Sequence, residues 1–126
     1  MAEIPSDVID VKSVTSWIGQ HADLDGPLSY ELIAGGRSNM TFTVSDDGKP
    51  RFVLRRPPMG PLLPSAHDMV REYRLMDALR DSDVPVPEMV ALCQDENVNG
   101  RDFYVMEFVD GIVVRDIEIA ATMDIT

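Results

Sequence analysis

The sequence contains a single cysteine, no long apolar run and half as many basic as acidic side chains. Cys93 has no partner within the chain for a disulfide, which is typical of proteins from a reducing compartment. No apolar run approaches the roughly 20 residues that a membrane span needs. The acidic N-terminus, MAEIPSDVIDVK, lacks the basic and apolar parts of a secretory signal. These absences predict a cytoplasmic protein without a membrane partner.

The charge of the chain is unevenly distributed. In total, 11 Lys and Arg residues stand against 22 Asp and Glu residues, which gives a net charge of −11. This excess argues against a nucleic-acid partner, because phosphate backbones require basic patches. From Lys49 to Arg80, however, seven basic residues minus three acidic ones leave a net charge of +4. This segment could receive an anion, although a solvated helix with its loop would show the same charges.

A length of 126 residues suits one domain with its own core. Val11, Val14 and Ile18 follow Asp10 at helical spacing, which predicts an N-terminal helix over about 10–21 with Asp10 as its N-cap. A second helix is predicted from a capping box at 65–68 to about Arg80.

The rest of the chain shows strand signals. Three strands are predicted in SYELIAG, MTFTVSD and RFVLRR, with an Asp-Gly hairpin turn between the last two. Two more are predicted in MVALCQD and FYVMEFV, joined by the polar loop ENVNGRD. The predicted fold is therefore of α+β type: a five-stranded antiparallel sheet with one packed helix and an N-terminal helical extension.

The second predicted helix has a carboxylate on its apolar side. At about 100° per residue, Glu72 falls between Leu79 and Met76 on the apolar arc, while Arg71 and Arg74 point elsewhere. A buried carboxylate without a partner costs several kcal/mol. We therefore expect a cation from another element beside Glu72, unless its carboxylate reaches water at the edge of the arc.

The strand RFVLRR ends in a candidate partner. Side chains alternate along a strand, so Val53 and Arg55 share one face, opposite Phe52 and Leu54. The five donors of a guanidinium would allow Arg55 to contact both Glu72 and a second anion, such as a phosphate. An arginine in this position could also be an ordinary solvated residue at a strand end.

The loop GGRSN separates the first two predicted strands. Gly35 and Gly36 allow the backbone to approach a ligand closely, and Ser38 and Asn39 add short polar side chains. The motif alone is weak, because any hairpin can contain two glycines. Its order is more informative: a glycine-rich hairpin, a strand with a basic end and a helix with an inward Glu follow one another in the nucleotide site of protein kinases.

Four stretches of the chain together resemble the small lobe of the aminoglycoside phosphotransferase-like family. They are IAGGRSNMTFTV, FVLRRPPMGPLLPSAHDMVREYRLMDAL, VPVPEMVALC and FYVMEFVDG. The resemblance spans about residues 28–112 and is closest to the branch fused to some acyl-CoA dehydrogenases. It implies that ATP is the cofactor and that Arg55 replaces the usual kinase lysine, with Glu72 as its partner. It also implies a nucleotide loop formed by Gly35, Gly36, Ser38 and Asn39.

The segment YVMEFVDG resembles the hinge of kinase-like folds, whose backbone contacts adenine. The resemblance implies that Met106 lines the back of the adenine pocket. The Glu107 carbonyl would accept from the adenine amine, and the Val109 N–H would donate to the ring. We count Val53, on the face of Arg55, among the nucleotide-binding residues. The alternative interpretation is a last strand that simply ends in a turn.

The catalytic part of such an enzyme is not evident in the sequence. In this family, the HxD catalytic loop and a metal-binding Asp belong to a large helical lobe after the hinge, whereas His21 and His67 both precede it. We expect an N-terminal extension at 1–27, an ATP-binding lobe at 28–110 and, at 111–126, the start of a linker to a catalytic lobe. Binding of Mg²⁺ would also need that lobe.

The expected function is therefore ATP binding within a small-molecule phosphotransferase, without catalysis by this chain alone. Two alternatives stay open. The chain could be a free-standing nucleotide-binding module of pseudokinase type, or an interaction domain that forms a homodimer and binds no nucleotide.

Overall fold

The computed structural model describes residues 8–34, 39–57, 69–79 and 87–109. The strands of this part form one antiparallel sheet in the order β1-β2-β3-β5-β4, with helices on both faces, so the predicted α+β fold is confirmed. In chain order the elements are α1 (Val11–Gly19), β1 (Leu28–Ala34), β2 (Met40–Asp46), β3 (Lys49–Arg56), α2 (Met69–Ala78), β4 (Met89–Cys93), α3 (Glu96–Asn99) and β5 (Phe103–Glu107).

The first three strands form the predicted antiparallel meander, whereas the last two strands are not arranged in chain order. Asp47 and Gly48 connect β2 to β3 with positive φ angles of 53° and 84°, as the predicted Asp-Gly turn requires. The last strand, β5, inserts between β3 and β4. In this register Arg55 of β3 lies opposite Tyr104 of β5.

Helix α1 covers one face of the sheet. Its predicted N-cap is confirmed, because the Asp10 carboxylate accepts a hydrogen bond from the Ser13 N–H at 3.2 Å. Val14 and Ile18 are fully buried on its inner side. They belong to the larger apolar cluster of the described residues, which consists of Ile9, Val14, Ile18, Leu28, Met40, Phe42, Val44, Phe52, Leu54, Cys93, Phe103 and Val105.

The segment before α1 is fixed to this face by polar contacts. The Val8 carbonyl accepts from the Arg56 guanidinium at 2.8 Å and from the Asn99 side-chain amide at 3.2 Å. The Asn99 amide oxygen accepts in turn from the Asp10 N–H at 2.8 Å. Asn99 and Arg56 therefore hold the entry to α1 against the sheet.

Helix α2 covers part of the opposite face. A smaller cluster here consists of Val53, Met69, Met76, Leu79, Tyr104 and Met106. Glu72 lies among these apolar side chains with 8% of its surface exposed, whereas Arg71 and Arg74 are exposed, as the helical periodicity predicts. The predicted capping box at 65–68 and the predicted end at Arg80 lie outside the described residues.

One local prediction was wrong. The stretch ENVNGRD was expected to be a loop, but its first four residues form α3. Asp95 caps this helix by accepting from the Asn97 N–H at 2.9 Å, and Gly100 ends it with a φ of 83°. The cap residues Asp95 and Gly100 stabilise the two ends of this short helix. A helix of four residues is too short for apolar periodicity to reveal it. Across the described ranges, the helices are too short to cross a bilayer.

Candidate functional site

The pairing of β3 with β5 brings four side chains to the face that α2 covers. Val53 lies opposite Met106, and Arg55 lies opposite Tyr104. Val53 and Arg55 are two residues apart on β3, and Tyr104 and Met106 are two residues apart on β5. All four side chains therefore point to the same side of the sheet. Their exposed fractions are 4% or less. This face therefore combines two apolar side chains with an arginine and a tyrosine hydroxyl in a nearly water-free environment.

Arg55 and Glu72 form a buried ion pair. The Arg55 Nε–H donates to Glu72 Oε1 at 2.5 Å, and the two side chains are 4% and 9% exposed. The predicted inward Glu and its predicted cation from β3 are both confirmed. A partner that removes the isolated charge explains why α2 can keep a carboxylate on its apolar side.

Two further polar side chains reach this pair from β2 and the residue before it. The Arg55 guanidinium also donates through Nη1 to the Thr41 hydroxyl at 2.7 Å. The Asn39 amide donates to the second oxygen of Glu72 at 2.9 Å. Asn39 thus contacts the helix carboxylate, whereas the resemblance assigned it to the nucleotide loop. Gly35, Gly36 and Ser38, which were predicted for the same loop, lie outside the described residues.

Tyr104 is a member of this cluster that the sequence patterns did not predict. Its hydroxyl donates to Glu72 Oε1 at 2.5 Å, and its ring packs edge-on against Tyr73 with centroids 5.8 Å apart. Burial, and secondarily the negative charge of Glu72, raise the pKa of Tyr104 well above its usual value near 10, so the hydroxyl remains a donor at neutral pH. The signal was the strand alternation, which places Tyr104 on the face of Met106.

The predicted hinge has a regular alternation of backbone contacts. The Glu107 N–H donates to the Glu88 carbonyl at 2.8 Å, on the side of β4, and the Phe108 N–H donates to the Arg51 carbonyl at 2.9 Å, on the side of β3. Met106 is fully buried, Glu107 is half-buried and Val109 is 39% exposed. Strand β5 ends at Glu107, so the predicted adenine contact at Val109 lies two residues beyond the end of the strand.

One His-x-Asp triplet is present in the chain, at His21, Ala22 and Asp23. It follows α1, and the His21 ring lies 4.4 Å from that of Trp17, which packs on the face of the sheet opposite Arg55. The triplet therefore lies on the wrong side of the sheet to act with the Arg55 cluster. Within the described ranges, no three His, Cys, Asp or Glu side chains are grouped closely enough to hold a metal ion.

Comparisons with known proteins bear on the family and the fold of the chain. The sequence profile described as the phosphotransferase enzyme family matches residues 29–124. Acyl-CoA dehydrogenase family member 10 of Mus musculus is 39% identical over 113 residues, which are 90% of this chain and 10% of that protein. Acyl-CoA dehydrogenase family member 11 of Homo sapiens is 38% identical over 125 residues, which are 94% of this chain and 16% of that protein.

A solved structure matches as well. The crystal structure of a putative aminoglycoside phosphotransferase from Ralstonia eutropha has 45% sequence identity and a TM-score of 0.63, and the match covers 83% of this chain and 29% of that one. The chain thus spans a small part of the length of the relatives that it matches. The predicted resemblance is confirmed by sequence and by fold, and the chain belongs to the phosphotransferase enzyme family.

Proposed function

We propose that this chain is the ATP-binding lobe of a small-molecule phosphotransferase. The observation that carries the proposal is the buried ion pair between Arg55 of β3 and Glu72 of α2. In kinase-like enzymes, a basic residue at this strand position contacts the nucleotide phosphates, and the helix glutamate holds it in place. Membership of the phosphotransferase enzyme family supports the same function.

The role proposed for Arg55 is to orient phosphate oxygens. Its Nε–H and Nη1 are already directed to Glu72 and Thr41, so the plane of the guanidinium is fixed by two protein contacts. An arginine presents several donors in one plane, whereas the usual kinase lysine presents a single compact charge. We therefore propose that the guanidinium contacts phosphate through its edge, with Glu72 as the positioning anion.

The adenine part of the nucleotide would lie against the hinge. Val53 and Met106 form an apolar pair on the face of Arg55, which suits the flat apolar ring. The N–H groups of Glu107 and Phe108 point to opposite sides of the chain. If this alternation continues, the Glu107 carbonyl and the Val109 N–H would point to the same side of the chain. These are the acceptor and the donor that the adenine edge requires.

Phosphoryl transfer needs groups in addition to these. An acceptor base and oxygen ligands for Mg²⁺ complete such a site, and the metal neutralises charge on the phosphates when it is bound. We assign these groups to a second lobe of a longer protein. The residues of this chain would bind the nucleotide, orient its phosphates and exclude water from Arg55.

Calorimetric titration of this chain with ATP and with adenosine tests the proposal. We expect both ligands to bind, with a lower dissociation constant for ATP because adenosine lacks the phosphates. Val109→Pro removes the proposed donor to the ring and is expected to weaken both ligands equally, by about tenfold. The matched control Val109→Ala keeps the N–H and should bind both normally. Failure of the wild-type chain to bind either ligand would overturn the proposal.

A second candidate function is self-association. Leu32 and Ile33 are 45% and 42% exposed on β1, which lies at the edge of the sheet. Exposed apolar residues on an edge strand favour pairing with another chain. Light scattering during size-exclusion chromatography distinguishes the two functions. A dimer that Leu32→Lys dissociates, and that is indifferent to ATP, would support this candidate instead of the first.

A further inference from the structure

The Glu72 carboxylate is held by donors from three parts of the sheet. Oε1 accepts from Arg55 Nε of β3 and from the Tyr104 hydroxyl of β5. Oε2 accepts from the Asn39 amide, directly before β2. Rotation of the carboxylate about its terminal bond would disturb all three contacts. Its orientation is therefore set by the whole sheet and not by Arg55 alone.

We propose that Tyr104 is a positioning residue for the nucleotide phosphates: its hydroxyl fixes the Glu72 carboxylate in the orientation that holds the Arg55 guanidinium. This inference rests on the proposed function. Tyr104 does not itself touch the nucleotide in this proposal. It acts through Glu72, and Glu72 acts through Arg55.

The packing around Tyr104 fixes the direction of its hydroxyl. The residue is fully buried, and its ring packs against Tyr73, the neighbour of Glu72 in α2. The ring therefore fits against the same helical turn that presents the carboxylate. A Phe side chain would fill nearly the same volume but would lack the hydroxyl. The tyrosine thus adds one specific contact in an otherwise apolar cluster, which also contains Val53 and Met106.

Thr41 acts on the other side of the guanidinium. It accepts from Arg55 Nη1 at 2.7 Å, while Glu72 accepts from Nε at 2.5 Å. Two contacts at different nitrogen atoms of one planar group define its plane. If Glu72 lost its hydrogen bond from Tyr104, its carboxylate could turn and one of these two constraints would weaken. The consequence would be a less well oriented Arg55 with an unchanged charge.

This mechanism predicts that loss of the Tyr104 hydroxyl weakens the binding of the phosphates only. In Tyr104→Phe, titration calorimetry should show about tenfold weaker binding of ATP, since a hydrogen bond to a charged group is lost. The affinity for adenosine should stay unchanged, because adenosine lacks the groups that Arg55 contacts. A merely structural role would weaken both ligands together.

Tyr30→Phe is the matched control. Tyr30 also has a hydroxyl in a side-chain hydrogen bond, 2.8 Å from the Thr15 hydroxyl, but it packs against the cluster on the α1 face of the sheet. We expect this variant to bind ATP and adenosine like the wild-type chain. Equal losses of ATP affinity in the two variants would overturn the positioning role.

A second measurement does not depend on the nucleotide. In nitrogen-15 spectra, the Arg55 Nε–H signal can be identified by its absence in Arg55→Lys, and its exchange with water reports how firmly Glu72 holds it. We expect exchange at least about tenfold faster in Tyr104→Phe than in the wild-type chain or in Tyr30→Phe. Unchanged exchange in Tyr104→Phe would overturn the inference even if ATP binds. If neither ATP nor adenosine binds the wild-type chain, the proposed function fails, while the exchange rate still decides whether Tyr104 positions Arg55.

Discussion

Arg55 and Arg56 are adjacent at the end of β3 and both are buried, but they face opposite sides of the sheet and are held differently. Arg56 is 1% exposed and donates to two main-chain carbonyls, those of Pro57 and Val8, each at 2.8 Å. Arg55 is 3% exposed and donates to the Glu72 carboxylate and the Thr41 hydroxyl.

The different partners have different consequences. The carbonyl contacts of Arg56 fix the end of β3 to the segment before α1, so they stabilise local chain geometry. The carboxylate contact of Arg55 ties the sheet to a helix and puts opposite charges side by side in a poorly solvated environment. The α1 face thus holds the contacts of Arg56 with main-chain carbonyls, and the α2 face holds the buried ion pair on which the proposed function rests. The four variants that follow, one of them a control, test this difference between the two faces.

Arg55→Ala is expected to have the largest effect. It would leave the Glu72 carboxylate buried without its cation, and removal of one partner from a buried ion pair typically costs about 3–5 kcal/mol of unfolding free energy. Urea denaturation followed by circular dichroism measures the loss. The hydroxyl of Tyr104 and the amide of Asn39 would remain as donors to Glu72, and they set the lower end of this range.

Arg51→Ala is the control for this prediction. Arg51 pairs with Asp46 at 2.6 Å, but its side chain is 32% exposed and Asp46 also accepts from the backbone N–H groups of Asp25 and Gly26. Chiefly the hydrogen bond from the Asp25 N–H holds the pKa of Asp46 below its usual value, so the carboxylate stays ionised and bonded without Arg51. We expect a much smaller loss than for Arg55→Ala. Equal losses would remove the distinction between a partly exposed ion pair and a buried one.

Much of the α2 face could be predicted from sequence patterns. Helical periodicity placed Glu72 inward, strand alternation placed Arg55 with Val53, and the Asp-Gly turn indicated the hairpin before β3. These features repeat over short distances along the chain. The resemblance to a family then connected them, because it supplied the order in which the elements assemble.

The remaining contacts depend on pairing between strands that are distant in sequence. Tyr104 reaches Glu72 only because β5 inserts between β3 and β4, and alternation within one strand does not reveal its neighbours. The same limit applies to Arg56, whose partner Val8 lies 48 residues away. Long-range register therefore decided which polar side chains met, whereas local periodicity decided only which face each one occupied.

Asn99→Ala is expected to have an intermediate effect that is confined to the α1 face. Asn99 is 8% exposed, accepts from the Asp10 N–H and donates to the Val8 carbonyl, so its loss leaves buried polar groups with fewer partners. Such a loss costs about 1–3 kcal/mol. Hydrogen exchange read by mass spectrometry should show faster exchange in α1 and unchanged exchange in α2. Faster exchange in both helices would mean that the two faces are not independent.

Tyr30→Phe is expected to have the smallest effect on the free energy of unfolding at neutral pH. At high pH its effect on this free energy should have the opposite sign. Loss of the contact with Thr15 should cost about 1 kcal/mol at pH 7. Burial raises the pKa of Tyr30 to about 12, partly offset by the hydrogen bond with Thr15. The folded protein thus holds the phenol proton more tightly than the unfolded chain, whose tyrosine pKa is about 10.

The stability that depends on this proton is complete below about pH 10 and is lost as the pH rises through about 12. Near pH 11.5, titration of Tyr30 should cost the wild-type protein about 2 kcal/mol that the variant does not lose, since Phe has no proton to release. The wild-type chain should therefore be the more stable of the two at pH 7 and the less stable above about pH 11. Urea denaturation of both proteins between pH 7 and pH 11.5 measures the difference. A difference that stayed constant over this range would show that Tyr30 is solvated, and that the α1 face is packed less tightly around it than the contact with Thr15 indicates.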